Sequence, residues 1–163
     1  MNESDNLTAE LFVKLMGAMD TIPGTWSNGI DSIKSFLSRE VEIDTSQIKL
    51  ADGSGVSRYT LTSSDQLISL LTWVYKSQYK NDFISTLPGG GWPKSTLEKR
   101  LAKEGDKVRA KTGGLSGVRN LAGYIESSRY GPVAFSILMN GYIGSSRKYR
   151  HVQNQIVKLL IYD

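Results

Sequence analysis

Apolar residues recur at helical spacing through the first two thirds of the chain and switch to a two-residue alternation after it. Phe12, Leu15, Met16 and Met19 predict a helix from Leu7 to Asp20, with Asn6 or Thr8 as its cap. Thr21-Ile22-Pro23-Gly24 breaks it. A second helix fits Thr25 to about Arg39, with Trp26, Ile30, Ile33 and Leu37 on one face. Residues 41–60 read as short and irregular, and Asp52-Gly53-Ser54-Gly55 is a turn-rich loop. Ser63 with Gln66 makes a capping box for a third helix, whose stripe is Leu67, Leu70, Leu71 and Val74. Pro88-Gly89-Gly90-Gly91 is a flexible loop, and Ser95 with Glu98 predicts a second capping box, for a short helix to about Lys103.

From there the period is two. Strands are predicted over 107–112, 118–127 and 133–140, with Val133, Phe135, Ile137 and Met139 on one side of the last. Arg129-Tyr130-Gly131-Pro132 supplies the turn between the second and third, so the strands form an antiparallel meander. Ser146 to Tyr162 closes the chain as a helix that turns Val152, Ile156, Leu159 and Leu160 inward. The layout is α+β, with helices packed on an antiparallel sheet of about three strands and the last helix lying on that sheet. No linker or repeat interrupts it, so residues 1–163 read as one domain. Three strands make a small sheet, and a further strand from elsewhere would be a natural neighbour.

Composition narrows the chemistry more than the fold. The chain has 163 residues, 39% hydrophobic and 22% charged, enough for a core. A net charge of +4 without a long basic block points away from nucleic acid and suits an anionic substrate or an anionic envelope polymer. There is no cysteine, which removes disulfides, thiolate metal sites and cysteine nucleophiles. His151 is the only histidine and has no nucleophile motif beside it; it reads as a partly exposed helix residue. No metal or organic cofactor is implied. No apolar run reaches the roughly 18 residues that span a membrane, and no signal peptide opens the chain.

Two short motifs offer chemistry. Lys111-Thr112-Gly113 ends a strand, and its ammonium can attract a carboxylate or lower the pKa of a neighbouring hydroxyl. Thr112 adds a hydroxyl donor. Gly113 and Gly114 let a ligand approach the backbone, and a free N–H at Gly114 can donate to a developing oxyanion. Ser4-Asp5-Asn6 lies just before the first helix: Ser4 can relay a proton, and the Asn6 amide can hold a carbonyl and a lysine. Taken alone, Ser, Asp and Asn before a helix are most simply caps. Trp26, Trp73 and Trp92 read mainly as anchors, and Arg100 and Arg109 as solvated or ion-paired.

K-T-G with S-D-N upstream resembles the pairing of penicillin-recognising serine acyl enzymes. The surrounding sequence is more specific. Asp52-Gly53-Ser54-Gly55-Val56-Ser57-Arg58 resembles a D-G-S-G-L-S-R stretch, and Leu87-Pro88 with Ser95-Thr96-Leu97 and Arg100 resembles L-P…G-T-L-x-x-R. Lys111 to Val118 and Leu121-Ala122-Gly123-Tyr124 resemble K-T-G-T-L-S-G-V…L-A-G-Y, and Phe135 to Asn140 continues the match. These are motifs of the class C low-molecular-mass penicillin-binding proteins, the D-alanyl-D-alanine carboxypeptidase/endopeptidase group, and the likeness covers nearly the whole chain.

That resemblance implies a partial transpeptidase-like domain, the C-terminal portion of a serine peptidase acting on peptidoglycan peptides that end in D-Ala-D-Ala and reacting with β-lactams. By carry-over Ser4 assists proton transfer, Asn6 orients substrate, Lys111 supplies electrostatics, Thr112 binds the terminal carboxylate and Gly114 N–H forms half of an oxyanion hole. A periplasmic or cell-envelope location is implied for the parent protein. Gly114 stands where the group usually has Thr or Ser, and Thr60 where it often has Asn. The nucleophile's S-x-x-K should precede S-D-N, yet three residues precede Ser4; Ser77…Lys80 and Ser145…Lys148 match by accident and lie after it. The expectation is therefore an inactive isolated chain, with a homodimer or partner covering surface that missing segments would hide. The alternative is a short non-catalytic module that binds cell-wall peptide or a protein.

Overall fold

The structure, a computed structural model, describes residues 1–18 and 23–163. Met19, Asp20, Thr21 and Ile22, and with them the expected end of the first helix, lie outside the described residues. The chain divides into two compact units: Asp5–Leu70, and Met1–Ser4 together with Leu71–Asp163.

The first unit holds α1 (Asn6–Ala18) and α2 (Trp26–Arg39). Asp5 starts α1: its carboxylate accepts from the N–H of Leu7 at 3.1 Å and of Thr8 at 3.3 Å, the capping role expected of Asn6 or Thr8. Thr25 caps α2 through Asn28 N–H. The helices meet through small residues. A Cβ on Gly17 would stand 2.7 Å from Gly29 N, and one on Gly29 would run into the Val13 backbone. Close approach selects Val13 and Gly17 as the buried side of α1. The predicted stripe is thereby corrected: Phe12 is 59% and Leu15 60% exposed, and Met16 also faces out. Trp26 is likewise exposed while Leu37 is buried. Beyond α2, Val41, Ile43 and Ile48 are buried, and one antiparallel bridge joins Lys49 to Leu61.

The capping box at Ser63 and Gln66 forms in both directions, at 2.9 and 3.2 Å, and starts α3 (Ser64–Lys76). The second unit takes the end of α3 and then α4 (Lys80–Thr86), which the apolar pattern did not single out. Its centre is a three-stranded antiparallel sheet, β1 (Val108–Leu115), β2 (Val118–Ser127) and β3 (Gly131–Asn140), in sequential order. The closing helix is α5 (Arg147–Tyr162).

One face of the sheet buries Val108, Ala110, Leu121, Ile125 and Phe135 against Val157 and Ile161 of α5. The other face packs Tyr124, Ala122 and Ala134 with Leu71, Tyr75 and Phe83. Two expectations are corrected here. The buried face of α5 is Gln153, Val157 and Ile161, one position on from the predicted stripe, and Val152 and Leu159 are exposed. Gln153 sets that rotation: it is fully buried, donates to the Arg119 carbonyl at 3.1 Å and accepts from Arg100 at 3.0 Å. Second, residues 95–103 form successive turns rather than a helix. Leu101 has φ 53°, which a right-handed helix cannot pass through, and Ser95 Oγ bonds Leu97 N–H and the Trp92 carbonyl instead of making a capping box.

Candidate active site

Lys111 is the fourth residue of β1 and pairs with Ala122, so it stands on the sheet face opposite α5. Its ammonium donates to Ser4 Oγ at 2.6 Å and to the Thr112 carbonyl at 2.7 Å. Residues 107 apart in sequence are thus in direct contact. Burial lowers the pKa of Lys111 below the usual lysine value, because desolvation penalises the ammonium. Among the described residues no carboxylate forms an ion pair with it.

Ser4 has φ 59°, a left-handed conformation that a non-glycine residue adopts at some cost. Its segment is held to the sheet unit at two points, by Lys111 and by the Asn2 carbonyl accepting from Thr96 N–H at 3.3 Å. Asn6 lies in the other unit, exposed, as the first residue of α1. Asp5, between them, is the cap.

β1 is an edge strand. Its start is covered: Gly89 bridges Arg109, and Ala110 N–H donates to the Pro88 carbonyl at 3.1 Å. Among the described residues, no bridge or backbone hydrogen bond to that side continues past Ala110. By the alternation of an antiparallel ladder, Thr112 and Gly114 point their N–H groups the same way as Ala110, away from β2. The Lys111 ammonium on the Thr112 carbonyl lies on that open edge. Gly113 does not need to be glycine for packing, since a Cβ there would meet nothing closer than Asn120 Cβ at 3.4 Å. Gly114 is exposed and pairs with Arg119, whose guanidinium lies over it.

Other motif residues are structural in their contacts. Asp52 organises the D-G-S-G loop by accepting from Ser57 N–H at 2.7 Å and from Thr60 Oγ1 at 2.6 Å. Arg100 donates to Asn154 and Gln153. Trp92 donates to Asp106 and stacks under the Arg109 guanidinium. Ser77 Oγ donates to the Val74 carbonyl, and Lys80 lies over the Tyr75 ring. Among the described residues no three His, Cys, Asp or Glu side chains gather as a metal site would require, and no helix is long and apolar enough to cross a membrane. Sequence reasoning missed Glu10, Gln153 and Arg119. The first two carry no motif, but Arg119 had a signal, its register opposite the departure at Gly114.

Comparison with known proteins extends the match along the chain. Residues 1–161 fit the model of the D-Ala-D-Ala carboxypeptidase 3 (S13) family. A D-alanyl-D-alanine carboxypeptidase of an Actinomadura species is 36% identical over 151 residues, covering 88% of this chain and 28% of the relative. The carboxypeptidase DacB of Haemophilus influenzae is 35% identical over 150 residues, covering 87% of this chain and 30% of the relative. The crystal structure of H. influenzae penicillin-binding protein 4, complexed with a β-lactam, superposes with a TM-score of 0.86 at 31% identity, over 99% of this chain and 40% of that one. The fold is therefore that of penicillin-binding peptidases. Within that class, the chain belongs to the D-Ala-D-Ala carboxypeptidase 3 (S13) family. It spans about a third of the length of these curated relatives.

Proposed function

We propose that this chain supplies the S-D-N and K-T-G portion of a serine-type D-Ala-D-Ala carboxypeptidase/endopeptidase site of peptidoglycan metabolism. The observation that carries the reading is the 2.6 Å contact of Lys111 with Ser4. A lysine whose ammonium is destabilised by burial and hydrogen-bonded to a hydroxyl is suited to pass a proton through that hydroxyl. In this reading Ser4 relays the proton to the leaving amine and Asn6 orients the substrate amide. Thr112 takes the terminal carboxylate, and Gly114 N–H, on the open edge of β1, donates to the oxyanion. The room at Gly113 leaves the strand approachable by an extended peptide, which would lie along the edge as a further strand. In this reading the isolated chain binds peptide without cleaving it. On the same reading a protein carrying this portion works at the cell envelope and reacts with β-lactams.

The test is a pair of assays on an acylated D-Ala-D-Ala peptide. Binding by the 163-residue chain should fall at least tenfold in Lys111→Ala, the scale of a lost charge-assisted hydrogen bond, and no D-Ala should be released. Release that survives Ser4→Ala and Lys111→Ala but stops in Ser77→Ala would overturn the scheme. A second reading, a module that docks on a protein or on its own copy, is favoured by the exposed row Leu7, Leu11, Phe12 and Leu15 on α1. A homodimer would cover that row, and light scattering that returns a clean monomer would remove it.

A further inference from the structure

We propose that Arg119 is the cation that captures the substrate's terminal carboxylate in this chain, working beside Thr112 across the gap left by Gly114. The inference rests on the assignment of the K-T-G strand just given, and names a residue that assignment does not.

Gly114 and Arg119 face each other in the β1–β2 register. The pair is of the narrow, non-hydrogen-bonded kind, where side chains come closest. Gly114 has no side chain, and the Arg119 guanidinium occupies its place: a Cβ at 114 would collide with Nη1 and stand 2.8 Å from Cζ. Register also puts Arg119 on the same sheet face as Thr112, two inter-strand pairs further along. The guanidinium is poorly used by the protein itself. Its one hydrogen bond among the described residues is a 3.4 Å contact of Nη1 with the Val118 carbonyl, and no carboxylate pairs with it.

The arm is held at its base. Gln153, fully buried, donates to the Arg119 carbonyl at 3.1 Å and is itself held by Arg100. Two further arginines add positive potential. Arg100 is pushed down to about 10, by burial first and then by the charges of Arg150 and Arg119. A planar donor fork with spare N–H groups, exposed through a glycine, fits a carboxylate in two-point contact.

The experiment is a titration of the 163-residue chain with an N-acylated peptide ending in D-Ala-D-Ala, as the free acid and as its C-terminal amide. The unaltered chain should prefer the acid by about tenfold or more. Arg119→Gln should bring the two affinities together. Gly114→Thr in that background should restore part of the preference through a new hydroxyl, while Arg129→Ala, in the β2–β3 turn, should leave it intact. Should Arg119→Gln fail to fold, Arg119→Lys replaces it, and a preference reduced several-fold is then expected. An acid preference unchanged in the Arg119 variants, with binding still lost in Lys111→Ala, overturns the role of Arg119 and leaves the site assignment standing. Failure of the unaltered chain to bind either peptide overturns both.

Discussion

Glu10 joins three parts of the Asp5–Leu70 unit through one carboxylate. Its Oε2 accepts from the Trp26 indole at 2.8 Å and from Gly53 N–H at 3.1 Å, and its Oε1 from Ser54 N–H at 3.0 Å. Hydrogen bonding from Ser54 leads, and with Gly53 and Trp26 it outweighs the opposing desolvation, pulling the carboxyl from 4.5 to about 2. A folded-state pKa depressed this way contributes stability that is complete above pH 4.5 and is lost as pH falls towards 2. The full shift corresponds to about 3 kcal/mol. Glu10 sits close to solvent, and screening reduces the expected value to about 1–2 kcal/mol. Glu10→Gln should therefore cost about 1–2 kcal/mol at pH 7 in urea unfolding, and the two unfolding curves should converge by pH 2–3. Amide exchange at Gly53 and Ser54 should accelerate in the variant at neutral pH. Equal stabilities at pH 7, or a difference that stays constant down to pH 3, would refute the reasoning.

Two further substitutions probe the sheet unit. Tyr124 is buried, donates to the Leu71 carbonyl at 2.7 Å, and is pushed up to about 12 by burial and by Tyr75. Tyr124→Phe should lower thermal stability by about 1 kcal/mol, with no change below pH 10 in the size of that loss; a loss that varies between pH 5 and 9 counts against it. Gln153→Leu keeps the volume but strands the Arg119 carbonyl and one Arg100 donor, so a loss of about 2–4 kcal/mol is expected in chemical denaturation. A neutral result would mean that water replaces both partners.

The sheet was legible because period two and a turn at Gly131 leave few alternatives, and the register then follows from the hairpins. Helix existence was legible too, but helix facing was not. On α1 a count of large apolar residues selects Phe12 and Leu15, whereas packing selected the small ones, since Gly17 and Gly29 let backbones approach. On α5 a buried glutamine, invisible to hydrophobic periodicity, set the rotation. The turn at Leu101 depends on a positive φ that no local signal marks. Of the candidate site, the contact between Lys111 and Ser4 was foreseeable only through the motif pair, because no local pattern links residues 107 positions apart. Arg119 escaped because its meaning lies in what it stands opposite rather than in its own neighbours.

β1 explains why so few residues carry so much of the candidate site. A strand offers three directions at once. Lys111 goes to the sheet face opposite α5, Thr112 and Gly114 belong to the α5 face, and the N–H groups of Thr112 and Gly114 point in the sheet plane toward the uncovered edge. On the proposed reading, a peptide laid along that edge would meet the Lys111–Ser4 pair on one side, the Thr112 hydroxyl and the Arg119 guanidinium on the other, and backbone donors in between. A one-residue slip of β1 against β2 would exchange the faces, removing Lys111 from Ser4 and Gly114 from Arg119 together. Val108 and Ala110 fill the α5 core and Gly123 cannot accept a Cβ, which would stand 2.6 Å from Ala110 Cα. The packing that fixes this register therefore also fixes the site, so a substitution at Gly123 should damage peptide binding without touching any residue assigned to it.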